Sequence, residues 1–191
     1  MRCTKKANGG EALYSNTTGS YNTANGEAAL FSNTTGTGNA ANGKEALFSN
    51  TTGDFNTANG GTSMYSNTSG FSNAANGYQA LYYNTTGLQN TANGAQALYN
   101  NTTGQSNTAS GAVALYSNTN GFSNVAIGQS ALATLIGGNN NIAIGAFSGT
   151  DPNTPYIVNT ISIGNNGILN AAPSASRRHA GSRWSSASAW D

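Results

Sequence analysis

The chain is poor in charge, cysteine, proline and uninterrupted apolar runs, and each shortage removes a class of protein. Only 7% of its 191 residues are Asp, Glu, Lys or Arg, and the net charge is +1. Ordinary intrinsic disorder combines high net charge with few aromatics, whereas here 9% of residues are aromatic and they recur regularly. Arg2, Lys5 and Lys6 stand near the start and Arg177, Arg178 and Arg183 near the end, with Lys44 alone between them. No basic stripe exists on which a nucleic acid could lie. The single cysteine, Cys3, excludes an intramolecular disulfide and a Cys-based metal site. The single histidine, His179, has no nucleophile or ligand partner in any motif, so neither catalysis nor a cofactor is expected. No apolar run reaches the ~18 residues of a membrane span. The basic start, Met1 to Lys6, leads into Ala-Asn-Gly and not into a signal-peptide hydrophobic region.

What is plentiful is Gly, Asn, Thr, Ser and Ala, and it is ordered. Ala-x-Gly begins a copy at Ala7, Ala24, Ala41, Ala58, Ala75, Ala92, Ala109, Ala126 and Ala143, one every seventeen residues without insertion. Fixed-period self-similarity of this kind is the signature of a solenoid. Two stretches per copy have strand length and alternation: Asn-Thr-Ala-Asn-Gly (56–60) and Ala-Leu-Tyr-Asn-Asn (97–101). If the second is a strand, Leu98 points opposite to Ala97 and Tyr99. Leu13, Leu30, Leu47, Met64, Leu81, Leu98, Leu115 and Leu132 then form the inner column. A helix would have to cross two glycines in every copy, each costing roughly 0.5–1 kcal/mol relative to Ala.

Asn-Thr-Thr-Gly, as at 33–36 and 101–104, and the glycine of Ala-Asn-Gly read as corners, where Gly accepts positive φ and Asn bonds its own backbone. A corner superposed on the next also leaves no room for a side chain. One coil cannot fold alone: Leu and Tyr bury ~1.5–3 kcal/mol each, against ~1–2 kcal/mol of backbone entropy for every residue. Neighbouring coils must supply the rest. The expected organisation is a disordered N-terminal stub at 1–6, an all-β parallel solenoid at 7–149 and a loop insertion at 150–160. A last coil follows at 161–171, then an irregular Ser/Ala/Arg-rich tail at 172–191.

Asn124-Val125-Ala126-Ile127-Gly128-Gln129-Ser130-Ala131 and Asn141-Ile142-Ala143-Ile144-Gly145-Ala146-Phe147-Ser148 resemble the head repeat of YadA-type trimeric autotransporter adhesins. The longer unit, Asn-Thr-Ala-x-Gly-x-x-Ala-Leu-Tyr-Ser-Asn-Thr-Thr-Gly, is similar to repeats of bacterial and prophage tail-fibre-like proteins. The resemblance covers roughly residues 7–170. It implies a left-handed parallel β-roll, a homotrimer, and an extracellular place on a cell or virion surface. The chain departs from the family where Asn8, Asn25, Asn42, Asn59, Asn76 and Asn93 replace the Ile of Ala-Ile-Gly, which makes that face polar. Only Val125, Ile127, Ile142 and Ile144 keep an apolar oligomer seam, to which Leu135 and Ile136 are expected to add surface.

The most visible recurring feature is the aromatic column Tyr14, Phe31, Phe48, Tyr65, Tyr82, Tyr99 and Tyr116. One reading is a stacked ladder closing the coil against water; the other is an exposed strip binding a host matrix protein or a glycan. The Thr-x-Asn pairs Thr23/Asn25, Thr57/Asn59 and Thr91/Asn93 resemble the array of an ice-binding solenoid, although Ala40 and Ala74 interrupt it. Glu11, Glu27 and Glu45 read as solvated charge. Asn-x-Ser/Thr sequons at Asn16, Asn33, Asn50, Asn67, Asn84, Asn100 and Asn101 are explained by the corner role without sugar. The expectation is therefore a non-enzymatic structural or adhesive rod, with ice binding as the alternative.

Overall fold

The computed structural model describes residues 5–164 of the chain. They form ten short parallel strands in one sheet: β1 (Lys5–Asn8), β2 (Asn22–Asn25), β3 (Ala40–Asn42), β4 (Thr57–Asn59) and β5 (Ala74–Asn76) in the first half. β6 (Thr91–Asn93), β7 (Thr108–Ser110), β8 (Val125–Ile127), β9 (Ile142–Ile144) and β10 (Ile161–Ile163) follow in sequence order. Each strand pairs with its copy in the next coil, as Ala58 with Ala75 and Ala75 with Ala92. The chain is a parallel β-solenoid, and no helix occurs among the described residues.

The strands start from alternation. Along β4, Ala58 is buried and Asn59 exposed, with Thr57 between those extremes. The inner faces of all coils fuse into one core of Ala and Leu, in which Leu30, Leu47, Met64, Leu81, Leu98 and Leu115 are completely buried. The expected inner column is therefore inside.

The second expected strand is absent. Residues 97–99 and their equivalents lie in turns, with Leu98 at φ 53° and Gln96 at φ 56° while Ala97 keeps negative φ. Alternating hand at successive residues winds the chain tightly, so Ala97 and Leu98 both face the core rather than opposite sides. A left-handed L-residue costs roughly 1–2 kcal/mol, and complete burial of Leu contributes ~1.5–3 kcal/mol. For the leucine column the two are of similar size, so its burial offsets the cost of its backbone conformation. The turns are closed locally, Asn101 N–H to Leu98 O at 3.1 Å, and tied to the next coil, Leu98 N–H to Ala114 O at 2.9 Å.

The two glycine corners differ. Ala-x-Gly glycines such as Gly60 (φ 146°) do occupy positive φ. The Asn-Thr-Thr-Gly glycines do not, and steric room alone selects them: a Cβ on Gly87 would meet Asn101 Nδ2 at 2.8 Å and Gly104 O at 2.5 Å. Three backbone N–H groups of such a corner, those of Thr34, Thr35 and Gly36, converge on Thr51 O at 3.0, 3.1 and 3.3 Å. The Thr34 hydroxyl donates to the same oxygen at 3.0 Å.

Two asparagine ladders complete the interior. The corner asparagines are buried; Asn67 Nδ2 donates to Asn50 Oδ1 at 2.7 Å and to its own corner carbonyl, Gly70 O, at 3.1 Å. The asparagines that open the strands are buried too: Asn73 Oδ1 accepts from Asn90 N–H at 3.0 Å while Asn90 Nδ2 reaches Gly104 O at 2.8 Å. A buried amide without partners would cost ~1–3 kcal/mol, and the repeat supplies a partner one coil away. The corner ladder stops at Asn118, whose buried Oδ1 lacks a donor because the next coil has Leu135 in that place.

The ends refine the expected boundaries. Strand β1 begins at Lys5, within the span expected as a stub, and all four of its residues are exposed. The segment 150–160 is a wider coil: Pro155 O accepts from Ile136 N–H at 2.8 Å and Val158 bridges to Asn139. Its extra residues appear as a register step of nineteen, as between Thr160 and Asn141. Cys3, His179, the remainder of the expected last coil and the 172–191 tail lie outside the described residues.

Candidate functional site

The aromatic column is a ladder. Adjacent rings from Tyr14 to Tyr116 stack with centroids 5.1–5.3 Å apart and planes within 15°. Each inner ring therefore spends both faces on its neighbours, and Phe31 to Tyr116 are half-buried; only Tyr14, at the end of the stack, is 72% exposed. Burial, with the neighbouring Tyr65 and Tyr83 hydroxyls adding to it, raises the Tyr82 phenol above its ordinary 10.0. Burial likewise raises Tyr99, helped by its contact with Tyr83.

The outward strand face changes character along the rod. Asn25, Asn42, Asn59, Asn76 and Asn93 form an exposed chain of side-chain bonds at 2.7–2.8 Å, each Nδ2 donating to the next Oδ1. From β8 onward the same columns are aliphatic. Ala126 and Ala143 fill the core, leaving Ile127 43% and Ile144 40% exposed, with Ile142 alongside and Val125 half-buried. β10 extends the strip with Ile161 and Ile163, both at least 70% exposed, and Phe122 and Phe147 are exposed in the same coils. Leu135 is not part of this surface: it is 1% exposed and occupies the asparagine place in the core, while Ile136 is half-buried.

A third feature escaped sequence reasoning. Beside the aromatic ladder runs a shallow groove of about 500 Å³. Ser66, Tyr83, Asn100 and Ser117 form one wall, from the position following the aromatic in each coil. Thr85, Thr102, Thr119 and Ile136, from the corner, form the other. Tyr83 stands nearly perpendicular to Tyr82 and Tyr99, at 83° and 84° and centroid distances of 4.8 and 5.2 Å. The available signal was a break in the repeat, since its column otherwise reads Ser15, Ser32, Ser49, Ser66, Asn100 and Ser117.

The remaining candidates find local explanations. Glu27 pairs with Lys44 at 3.2 Å, both side chains largely exposed; such pairs contribute ~0–1 kcal/mol. The sequon asparagines Asn33, Asn50, Asn67, Asn84 and Asn101 are completely buried, so a glycan could not be attached to them in the folded coil; Asn100 is half-exposed. Among the described residues no group of three or more His, Cys, Asp or Glu could hold a metal ion, and no helix is long and apolar enough to cross a membrane. Comparison of the chain with protein-family models, with curated proteins and with solved structures finds no match.

Proposed function

We propose that the chain is a non-enzymatic structural rod at a cell or virion surface, of the adhesin or tail-fibre-like kind, in which three copies lie side by side. The observation that carries this reading is the aliphatic strip Val125, Ile127, Ile142, Ile144, Ile161 and Ile163. A contiguous exposed apolar strip, rimmed here by the polar asparagine face, marks an interaction surface. The YadA-like repeats carrying part of it, Val125-Ala126-Ile127-Gly128 and Ile142-Ala143-Ile144-Gly145, favour a second copy as the occupant. Covering each half-exposed isoleucine contributes on the order of 1 kcal/mol, so the seam holds the assembly at one end of the rod. Equilibrium sedimentation tests it: the parent should run as three chains, and Ile127→Asn with Ile144→Asn should run as one at micromolar concentration. A monomeric parent would overturn the reading.

One observation favours a second reading. Thr23, Thr57, Thr91 and Thr108 share the outward face with the asparagine chain, in unbroken parallel register. Such a fixed array is what an ice-binding surface requires, although Ala40 and Ala74 interrupt its hydroxyl column. A thermal hysteresis measurement separates it from the rod.

A further inference from the structure

We infer that the groove between Tyr83 and the corner threonines is a binding site for an uncharged, extended, β-1,4-linked polysaccharide. The inference deepens the adhesive reading and rests on it only for the exposure of this face, not for the number of chains.

The hydroxyls of Thr85, Thr102 and Thr119 are committed to the carbonyls of Thr102, Thr119 and Ile136, at 3.0, 3.0 and 3.1 Å. What these threonines offer the groove is a row of methyl groups, one per coil, ended by the Ile136 side chain. Opposite them, the side chains of Ser66, Asn100 and Ser117 have no hydrogen-bond partner among the described residues. Tyr83 is 44% exposed and held by two perpendicular aromatic contacts. The site is thus a methyl-lined wall, one preoriented aromatic ring and a few free hydroxyl and amide groups. That is the complement of a pyranose, which has an apolar C–H face and an equatorial rim of hydroxyls.

Geometry and charge narrow the class further. No Asp, Glu, Lys, Arg or His lines the groove, so an acidic or basic polymer would find no counter-charge there. Rings of successive coils in the adjoining ladder stand 5.1–5.3 Å apart, close to the advance of one sugar in an extended β-1,4-linked chain. One sugar would therefore fall against each of Thr85, Thr102 and Thr119, and because each sugar of such a chain is turned over relative to the one before, Thr85 and Thr119 would meet the same edge and Thr102 the opposite one. An extended peptide is the poorer occupant. It gains affinity by pairing with a free sheet edge, and the strands of these coils, β5 to β8, are paired on both sides.

The probes are cellohexaose and chitohexaose, with maltohexaose, whose α-linked chain curves, as the contrast. Titration calorimetry should show the two β-linked sugars binding the parent and maltohexaose binding at least about tenfold more weakly. Tyr83→Ser installs the residue that other coils carry there, so the coil should fold unchanged by circular dichroism while affinity falls about tenfold. Tyr83→Phe should retain most of it, and Tyr21→Ser, in a corner outside the groove, should leave it unaltered. Absence of binding by the parent at millimolar sugar, equal binding of maltohexaose, or unchanged affinity in Tyr83→Ser would each overturn the proposal. A monomer that binds cellohexaose would sink the trimer and leave the groove standing.

Discussion

Removing one rung of the corner asparagine ladder, at Asn67 in the middle of the rod, should be far more damaging than its polar character suggests. Asn67 is completely buried and makes three contacts through its amide: Nδ2 to Asn50 Oδ1 at 2.7 Å, Nδ2 to Gly70 O at 3.1 Å, and Oδ1 from Asn84 Nδ2 at 2.7 Å. In Asn67→Ala, Gly70 O keeps a donor in Asn56 Nδ2 at 2.8 Å, and Asn84 Nδ2 keeps Gly87 O at 3.1 Å. Asn50 Oδ1 keeps nothing. A buried orphan acceptor costs ~1–3 kcal/mol and each of the two other lost bonds ~1 kcal/mol, so the expected destabilisation is about 3–5 kcal/mol. Asn67→Asp should be worse, because its second oxygen would face two acceptors where an N–H₂ now donates. Asn67→Leu should be the mildest, since Leu135 occupies the same place in the eighth coil and leaves only Asn118 Oδ1 unpaired. The assay is guanidinium unfolding followed by circular dichroism, comparing midpoints at unchanged slope because repeat arrays can depart from two-state behaviour. An alanine variant within about 0.5 kcal/mol of the parent, or an aspartate variant as stable as the alanine one, would refute the idea that the ladder holds the interior together.

Gly87→Ala should lower the melting temperature sharply, because its Cβ would strike the next coil's corner, whereas Gly61→Ala, whose nearest neighbour would be Tyr78 at 3.7 Å, should leave it unchanged or raise it by the equivalent of ~0.4–1 kcal/mol. Amides of β1, paired on one side only, should exchange with solvent faster than those of β6, paired on both; equal protection would mean that another segment covers that edge. Tyr82 and Tyr99 hold their protons more tightly when folded, so stability linked to them is complete below pH 10.0 and falls as pH rises above it. Spectrophotometric titration should show Tyr82 and Tyr99 ionising above 10.0, and ionisation of both at 10.0 would contradict the ladder's burial.

The seventeen-residue spacing of Ala-x-Gly determined the register, and the register carried most of the architecture. It fixed which residues stack, so the inner leucine column, the aromatic ladder and the change of the strand face at Val125 and Ile127 were all legible in the chain. Local pattern could not show the path within a coil. Alternation at Ala97-Leu98-Tyr99 is the same whether the backbone is extended or switches hand at each residue, and only closure of the coil placed Leu98 at positive φ with both Ala97 and Leu98 inside. The two buried asparagine ladders were hidden for a similar reason, since Asn in a turn is satisfied by its own backbone and nothing local shows that a second partner waits one coil away. Tyr83 was visible as a break in a serine column, but its meaning depended on the threonine hydroxyls turning back to the next coil's carbonyls and leaving methyls at the surface. Sequence repetition specifies neighbours along the axis; what those neighbours leave exposed is decided by the three-dimensional fit of each coil on the next.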